Sequence, residues 1–392
     1  MTDHRTFPAL FSYGFRPFFL FAGIHAAATI VLWVANVTLG LNLTGALDPL
    51  SWHIHEMIWG FAAAAVAGFA LTAIPNWTGR LPIAGRPLMG LALLWVLGRC
   101  VVLLPGVPLI VAAVLDVIFP FVLALAAMRE IAAGHNWRNL PVVTALVLFA
   151  GADVVFWLEH AGTLPFGGYG YRFAISILLA LITLIGGRII PSFTRNWLVK
   201  RGATRLPTPF GPYDKLVLLI TVVAQAAWTW APDGPVVGAL TGLAAAANLV
   251  RLSRWQGLAT GAEPLLWILH VAYLWIPIGF GLAALAALHP QLVPQTAAIH
   301  TLTVGAIAQM ILAVMTRATL GHTGRALTAD RTTTAAYLAL WLAAAIRIAA
   351  AFVPLHYDAL ITTSAALWVA AFLLFLAGYG PKLCAARSSH TS

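Results

Sequence analysis

The chain has 392 residues, 61% of them hydrophobic and 9% charged, with a formal charge of +10. Soluble domains carry about 25% charged residues, so the charges here are too few to cover a water-facing surface, and a soluble globular fold is excluded. With 15 Trp and 20 Phe, of which Trp gathers at membrane interfaces, the composition is that of an integral membrane protein.

A spanning helix needs about 20 mostly apolar residues. Taken in chain order, the runs that qualify are 17–38, 52–74, 87–105, 108–128, 140–159, 172–190, 214–231, 235–251, 264–287, 295–316, 333–353 and 357–379. The reading is therefore all-α: a polytopic membrane protein of about twelve transmembrane helices. It forms a single integral membrane domain over 1–392, with six helices (17–190), a polar connector (191–213) and six more (214–379). Residues 1–16 are polar and the first apolar run is long enough to remain in the membrane, so no cleavable signal peptide is expected. Cys100 and Cys384 form neither a metal-binding pair nor a disulfide framework.

Orientation follows from the Lys/Arg bias. Of the 22 Lys and Arg, all but Arg99, Arg172 and Arg347 fall in segments on the face shared by the two termini, from Arg5 and Arg16 to Lys382 and Arg387. Both termini are expected to be cytoplasmic. The positive charge then reads as an insertion signal, and no nucleic-acid partner is expected.

Histidines carry the chemical signal. "WHIHEM" (52–57) opens the second span with His53, His55 and Glu56, followed by a run without charge. Helical geometry places His53 and Glu56 on one face and His55 and Trp59 on another, because residues two apart point about 200° apart. His53 and His55 are therefore expected to serve two different sites, or one to serve a metal and the other something else. His300 lies near the outer end of the tenth span, at the level of His53 and His55. His25 and His270 lie deeper, His270 by ~10–15 Å from helix rise. His322 closes the tenth span; His4, His135 and His390 lie in polar segments. His160, His289 and His356 sit at outer helix ends and read as interfacial residues. Imidazoles inside hydrocarbon are costly and tend to be functional, and haem iron or copper takes their nitrogens readily. Met310 and Met315 read as packing before they read as Cu(I) ligands.

Three segments repeat a theme of small residues, hydroxyls or amides and an arginine at one depth: "PNWTGR", "GGRIIPSFTRN" and "MTRATLGHTGR". They read as helix stops with snorkelling anchors, or as a polar pocket in which Arg188, Arg195 and Arg325 bind anions through planar forks.

Together with "FRPFFL", "WHIHEMIWGF", "LLWILHVAYLW" and "HTLTVGAIAQMILAVMTRATLGHTGR", these segments resemble the NnrS family over residues 10–325. The resemblance implies a multi-pass protein of the bacterial inner membrane, containing haem and copper and linked to nitric oxide tolerance. It points to His53, His55, Glu56, His270, His300 and His322. His53, His55, His270 and His300 are expected as metal ligands, with Arg188, Arg325 and His322 about the cofactor. Glu56 is expected to be catalytic, as a proton shuttle or as the acceptor of an imidazole N–H. Depth fits an outer haem, by the resemblance a haem b, between spans 2 and 10, with a second site at His270 that His25 is placed to share. The function this implies is protection from nitric oxide by reducing it with electrons from quinol. The alternatives are a haem protein that senses or buffers nitric oxide, and a twelve-helix transporter, against which the scarcity of mid-span carboxylates other than Asp116 and Asp153 counts.

Overall fold

The computed structural model describes residues 7–41 and 45–386; His4, Arg5, Arg387 and His390 lie outside them. All of the long elements are helical, as backbone crossing hydrocarbon must be unless it closes into a barrel. No strand occurs among the described residues.

Twelve long helices follow one another: α1 (Phe15–Leu39), α2 (Pro49–Thr78), α3 (Arg86–Leu103), α4 (Leu109–Ala133), α5 (Leu140–His160), α6 (Tyr169–Val199), α7 (Pro212–Trp230), α8 (Pro235–Ser253), α9 (Pro264–Leu288), α10 (Gln295–His322), α11 (Arg331–Ala350) and α12 (Tyr357–Cys384). Eleven are long and apolar enough to cross a membrane. The exception is α7. It forms a helix of 19 residues, but its polar opening, Tyr213, Asp214 and Lys215, and the mid-helix Gln225 dilute its hydropathy.

The expected boundaries hold to within a few residues at most ends, and all three motifs read as helix stops are partly helical, α10 running on to His322. Helix α2 continues through Pro75 to Thr78. Helix α6 continues through Pro191 to Val199, which shortens the connector expected over 191–213. Proline removes one backbone donor and bends a helix without always ending it.

Three stretches are wound as π-helix: Glu56–Ala62 in α2, Ile182–Gly186 in α6 and Thr301–Ala308 in α10. Such i→i+5 winding is rare and often marks functional positions. Two of the three begin at the residue after a histidine of the expected ligand set, His55 and His300.

The chain divides into two compact units. The first comprises 1–174, 315–326 and 372–392, and the second 175–314 and 327–371. In the first, α1 packs on α2, α2 on α4, α3 on α4 and α4 on α5. Outward positions are apolar, Leu93 at 68% and Ile110 at 69% exposure among them, as a lipid-facing surface requires. The middle holds His55, Glu56, Asp116 and Asp153, all buried. In the second unit, α8 packs on α7 and α9, and α9 on the π stretch of α10, which also meets α11.

Charges counted as cytoplasmic signals are partly structural. Arg16 is buried and its guanidinium donates to the carbonyls of Leu383 and Ala385 at the end of α12, 2.8 and 2.5 Å away. That satisfies acceptors a helix end leaves open. Arg251, expected at the charged end of the eighth span, is fully buried and donates to Asp214 Oδ1 at 2.8 Å.

Candidate functional site

The polar centre of the first unit is assembled from five helices. Helix α2 starts at Asp48, whose side chain accepts from the N–H groups of Leu50 and Ser51 at 3.1 Å, with Pro49 in the first turn. This cap and proline set the phase of the helix. One and a half turns on, His53 and His55 diverge as expected. The His53 ring stacks on Trp33 of α1, with centroids 4.5 Å apart and planes at 16°. His55 turns into the bundle, fully buried, beside Trp59, Phe156 and Trp157.

Both nitrogens of His55 face carboxylates. Nδ1 is 3.1 Å from Glu56 Oε1, and Nε2 is 2.9 Å from Asp116 Oδ2 and 3.4 Å from Asp153 Oδ1. Glu56, expected on the face of His53, therefore closes on its chain neighbour. Here the helix passes from α to π winding, so the turn per residue falls and the α-helical face rule lapses. The other Glu56 oxygen lies 3.0 Å from His25 Nε2 of α1. Arg99 of α3 joins the two carboxylates, donating to Glu56 Oε1 at 2.6 Å and through its other terminal nitrogen to Asp116 Oδ1. The indole N–H of Trp157 donates to Asp116 Oδ2 at 3.1 Å.

Two glycines allow the approach. A Cβ on Gly60 would overlap the imidazole of His25, and one on Gly98 would sit 2.8 Å from Asp116 Oδ1. The π winding also turns the Gly60 carbonyl outward to accept from Trp95 Nε1 at 3.1 Å. Asp153 is the least satisfied member. It is fully buried and neither oxygen has a hydrogen-bonding donor among the described residues. His55, Asp116 and Asp153 offer three ligand atoms within 4.8 Å of one another, the only group of three His, Cys, Asp or Glu so placed among the described residues.

Sequence reasoning found His55 and Glu56 but left out Arg99, Asp116 and Asp153 as site residues. The signal was present: three ionisable side chains within spans of the first half, each needing a partner.

The other histidines sit as follows. His300 in the second unit is half-buried, and its Nδ1 lies 2.8 Å from the Thr296 carbonyl. A carbonyl only accepts, so Nδ1 carries a proton; in the neutral ring the lone pair is then on Nε2, the tautomer of a metal-ligating imidazole. His270 is buried, shares a 2.9 Å hydrogen bond with Thr194 Oγ1, and packs on Trp255 and Gly257. His322 packs against the rings of Tyr13 and Phe15, each 5.6 Å away. His160 is satisfied on both sides: Nδ1 donates to the Phe156 carbonyl and Nε2 accepts from Ser51 Oγ, both at 2.8 Å. Arg188 is exposed against Phe210, and Arg325 is half-exposed. His53, His55, His322 and Arg325 belong to the first unit; His270, His300 and Arg188 belong to the second.

His300 suits iron, because Nδ1–H is anchored and Nε2 carries the lone pair. His55 does not suit a haem: an axial ligand needs an open ring edge for the porphyrin, and both of its nitrogens are closed in by carboxylates.

The family described as NnrS protein matches residues 9–387. No curated protein matches the chain.

Proposed function

The chain belongs to the NnrS family, and from that premise we propose a multi-pass haem b protein of the bacterial inner membrane, with copper as an accompanying metal, that removes nitric oxide by reduction. The role linked to nitric oxide comes with the family; the redox chemistry is our reading. The observation that carries it is the family match over nearly the whole chain, and the anchored tautomer of His300 supports it.

Nitric oxide is small and uncharged, and hydrocarbon does not bar its path to a buried centre. Haem iron, when bound, supplies a coordination position for the gas and a route for electrons. The net reaction takes two molecules of nitric oxide and one quinol to nitrous oxide, water and quinone, the quinol supplying both electrons and both protons. His300 is assigned to iron, and His53, His270 and His322 remain assigned to the metal and cofactor sites. The exposed fork of Arg188 and the half-exposed one of Arg325 are assigned to anionic groups such as propionates. Glu56 is the proton-holding residue of the proposal. Its carboxylate bridges His25 at 3.0 Å and His55 at 3.1 Å, so a proton on either imidazole has an acceptor within hydrogen-bond distance.

The test uses the full chain purified in detergent. A reduced-minus-oxidised spectrum and a pyridine haemochrome assay should show b-type haem, and elemental analysis should show copper. Anaerobic addition of quinol and nitric oxide should then yield nitrous oxide. A colourless preparation refutes the haem reading. Haem without nitrous oxide refutes reduction and leaves binding of the gas. His300→Ala should remove one haem's absorbance, and an unchanged spectrum would overturn that assignment.

A further inference from the structure

We propose that His55, Asp116 and Asp153 bind a divalent first-row cation of borderline hardness, Zn(II) or non-haem Fe(II), at a site separate from haem and from copper. The inference does not rest on the haem reading.

Two of the three separations between the ligand atoms match edges of a coordination polyhedron, and all three atoms lie within 4.8 Å of one another. Metal–ligand bonds of about 2.1 Å place adjacent ligand atoms about 3.0 Å apart at right angles and about 3.4 Å apart in a tetrahedron. His55 Nε2 is 2.9 Å from Asp116 Oδ2 and 3.4 Å from Asp153 Oδ1. The three side chains come from α2, α4 and α5, so a cation here would tie three helices together.

A second observation is the carboxylate of Asp153, fully buried, with neither oxygen hydrogen-bonded among the described residues and His55 Nε2 facing it at 3.4 Å. Buried polar groups are nearly always bonded, and a carboxylate without hydrogen bonds in a dry interior is costly. A proton on Asp153 would remove the charge but leave most of its lone pairs unused. A cation removes the charge and uses the lone pairs.

The surroundings of the three ligands are also built for it. With a metal on Nε2, the Nδ1–H of His55 donates to Glu56, the carboxylate–imidazole–metal arrangement that orients a ligand and raises its basicity. Arg99 holds Glu56 and the far oxygen of Asp116. The carboxylates Glu56, Asp116 and Asp153 against the one guanidinium of Arg99 leave two negative charges, which one divalent cation neutralises with both imidazoles uncharged.

The donor set chooses the metal. One imidazole and two carboxylates without sulfur disfavour Cu(I). Calcium takes six to eight oxygens, and magnesium keeps its waters and avoids nitrogen. Zinc and ferrous iron both accept this set, and elemental analysis tells them apart.

The experiment measures metals in the purified full chain by mass spectrometry, with haem iron from the pyridine haemochrome assay subtracted. About one equivalent of zinc or non-haem iron per chain is expected, retained through dialysis. Asp153→Asn should lose it, and Glu56→Gln should weaken retention by about 10–100-fold. Glu130→Gln, in the first unit but outside the cluster, should keep it. Wild-type protein that retains neither metal, as isolated or after chelator stripping and reloading, overturns the proposal, as does an Asp153→Asn protein that keeps its full equivalent. If that variant does not fold, stripping and reloading the wild type decides: melting temperature should fall and recover with the cation, and an unchanged value refutes the site. A preparation without haem that carries zinc upholds this site and sinks only the haem reading.

Discussion

Replacing Arg99 with Met is the sharpest probe of the polar centre. Its guanidinium donates to both Glu56 and Asp116, and its side chain is 10% exposed against 2% and 1% for the two carboxylates. Removing it leaves two buried carboxylates that have lost a common donor. Breaking a buried ion pair from one side costs about 3–5 kcal/mol, because the partner charge stays uncompensated. For a unit of this size each kcal/mol moves the melting temperature by about 2–4 °C, so a fall of about 6–20 °C is expected. The internal reference is Arg80→Met, which breaks the pair with Glu130 at 2.6 Å where the Arg80 side chain is 39% exposed. An exposed pair contributes about 0–1 kcal/mol, a shift of at most a few degrees. Both variants can be followed by tryptophan fluorescence during heating in detergent. Adding Glu56→Gln to Arg99→Met should restore part of the loss, since the two residues are coupled. If Arg99→Met and Arg80→Met melt together, the cluster is not the stabilising centre described here.

Gly60→Val should drive a side chain into the space of His25 and destabilise by about 1–3 kcal/mol, the usual range for overpacking, measurable as a lower melting temperature with weaker retention of the cation at His55. Glu159→Gln should loosen the start of α6, because Glu159 accepts from the backbone N–H groups of Gly167, Tyr169 and Gly170 at 3.0, 2.9 and 3.0 Å. Bonds to a charged acceptor contribute about 1.5–3 kcal/mol, and faster proteolysis at 161–168 would report the loss. At Asp48, burial pushes the carboxyl up, but hydrogen bonds from Ser51, with help from His160 and the Leu50 N–H, outweigh it and hold the group below its ordinary range. A depressed folded value means the carboxylate's contribution is complete above an unfolded pKa of about 4. It is lost as pH falls through the folded value. Asp48→Ala should therefore destabilise by about 0.5–2 kcal/mol near neutrality, and the difference from wild type should shrink in strong acid.

How much of this could be read from the residues differs between fold and site. Apolar runs bounded by glycine, proline and charge located all twelve helices, because length and hydropathy are local properties. Pro75 and Pro191 misled at two helix ends, since whether a proline stops or bends a helix is settled by what packs around it. In the site, "HIHE" marked the right turn of the right helix, and the divergence of His53 and His55 followed from helical geometry. The partnership of Glu56 with His55 did not, because π winding is not written in residue type. Arg99, Asp116 and Asp153 were visible as charges within spans. Their convergence on His55 depends on which helices are neighbours, and that information is carried by packing across the bundle.

The π stretch Glu56–Ala62 behaves like a dislocation in a screw thread. It takes up one residue more than α winding, so the thread beyond it is offset by about one residue's turn, roughly 100°. Above the fault, His55 meets Asp116; below it, Gly68 lies against Phe18 and Phe19. No unbroken α thread presents both sets of side chains in these directions at once. A single-residue deletion at 57–62 would therefore mend the thread and swing one end of the helix away from its partners, so the length of this segment is under as firm a constraint as the identity of its side chains.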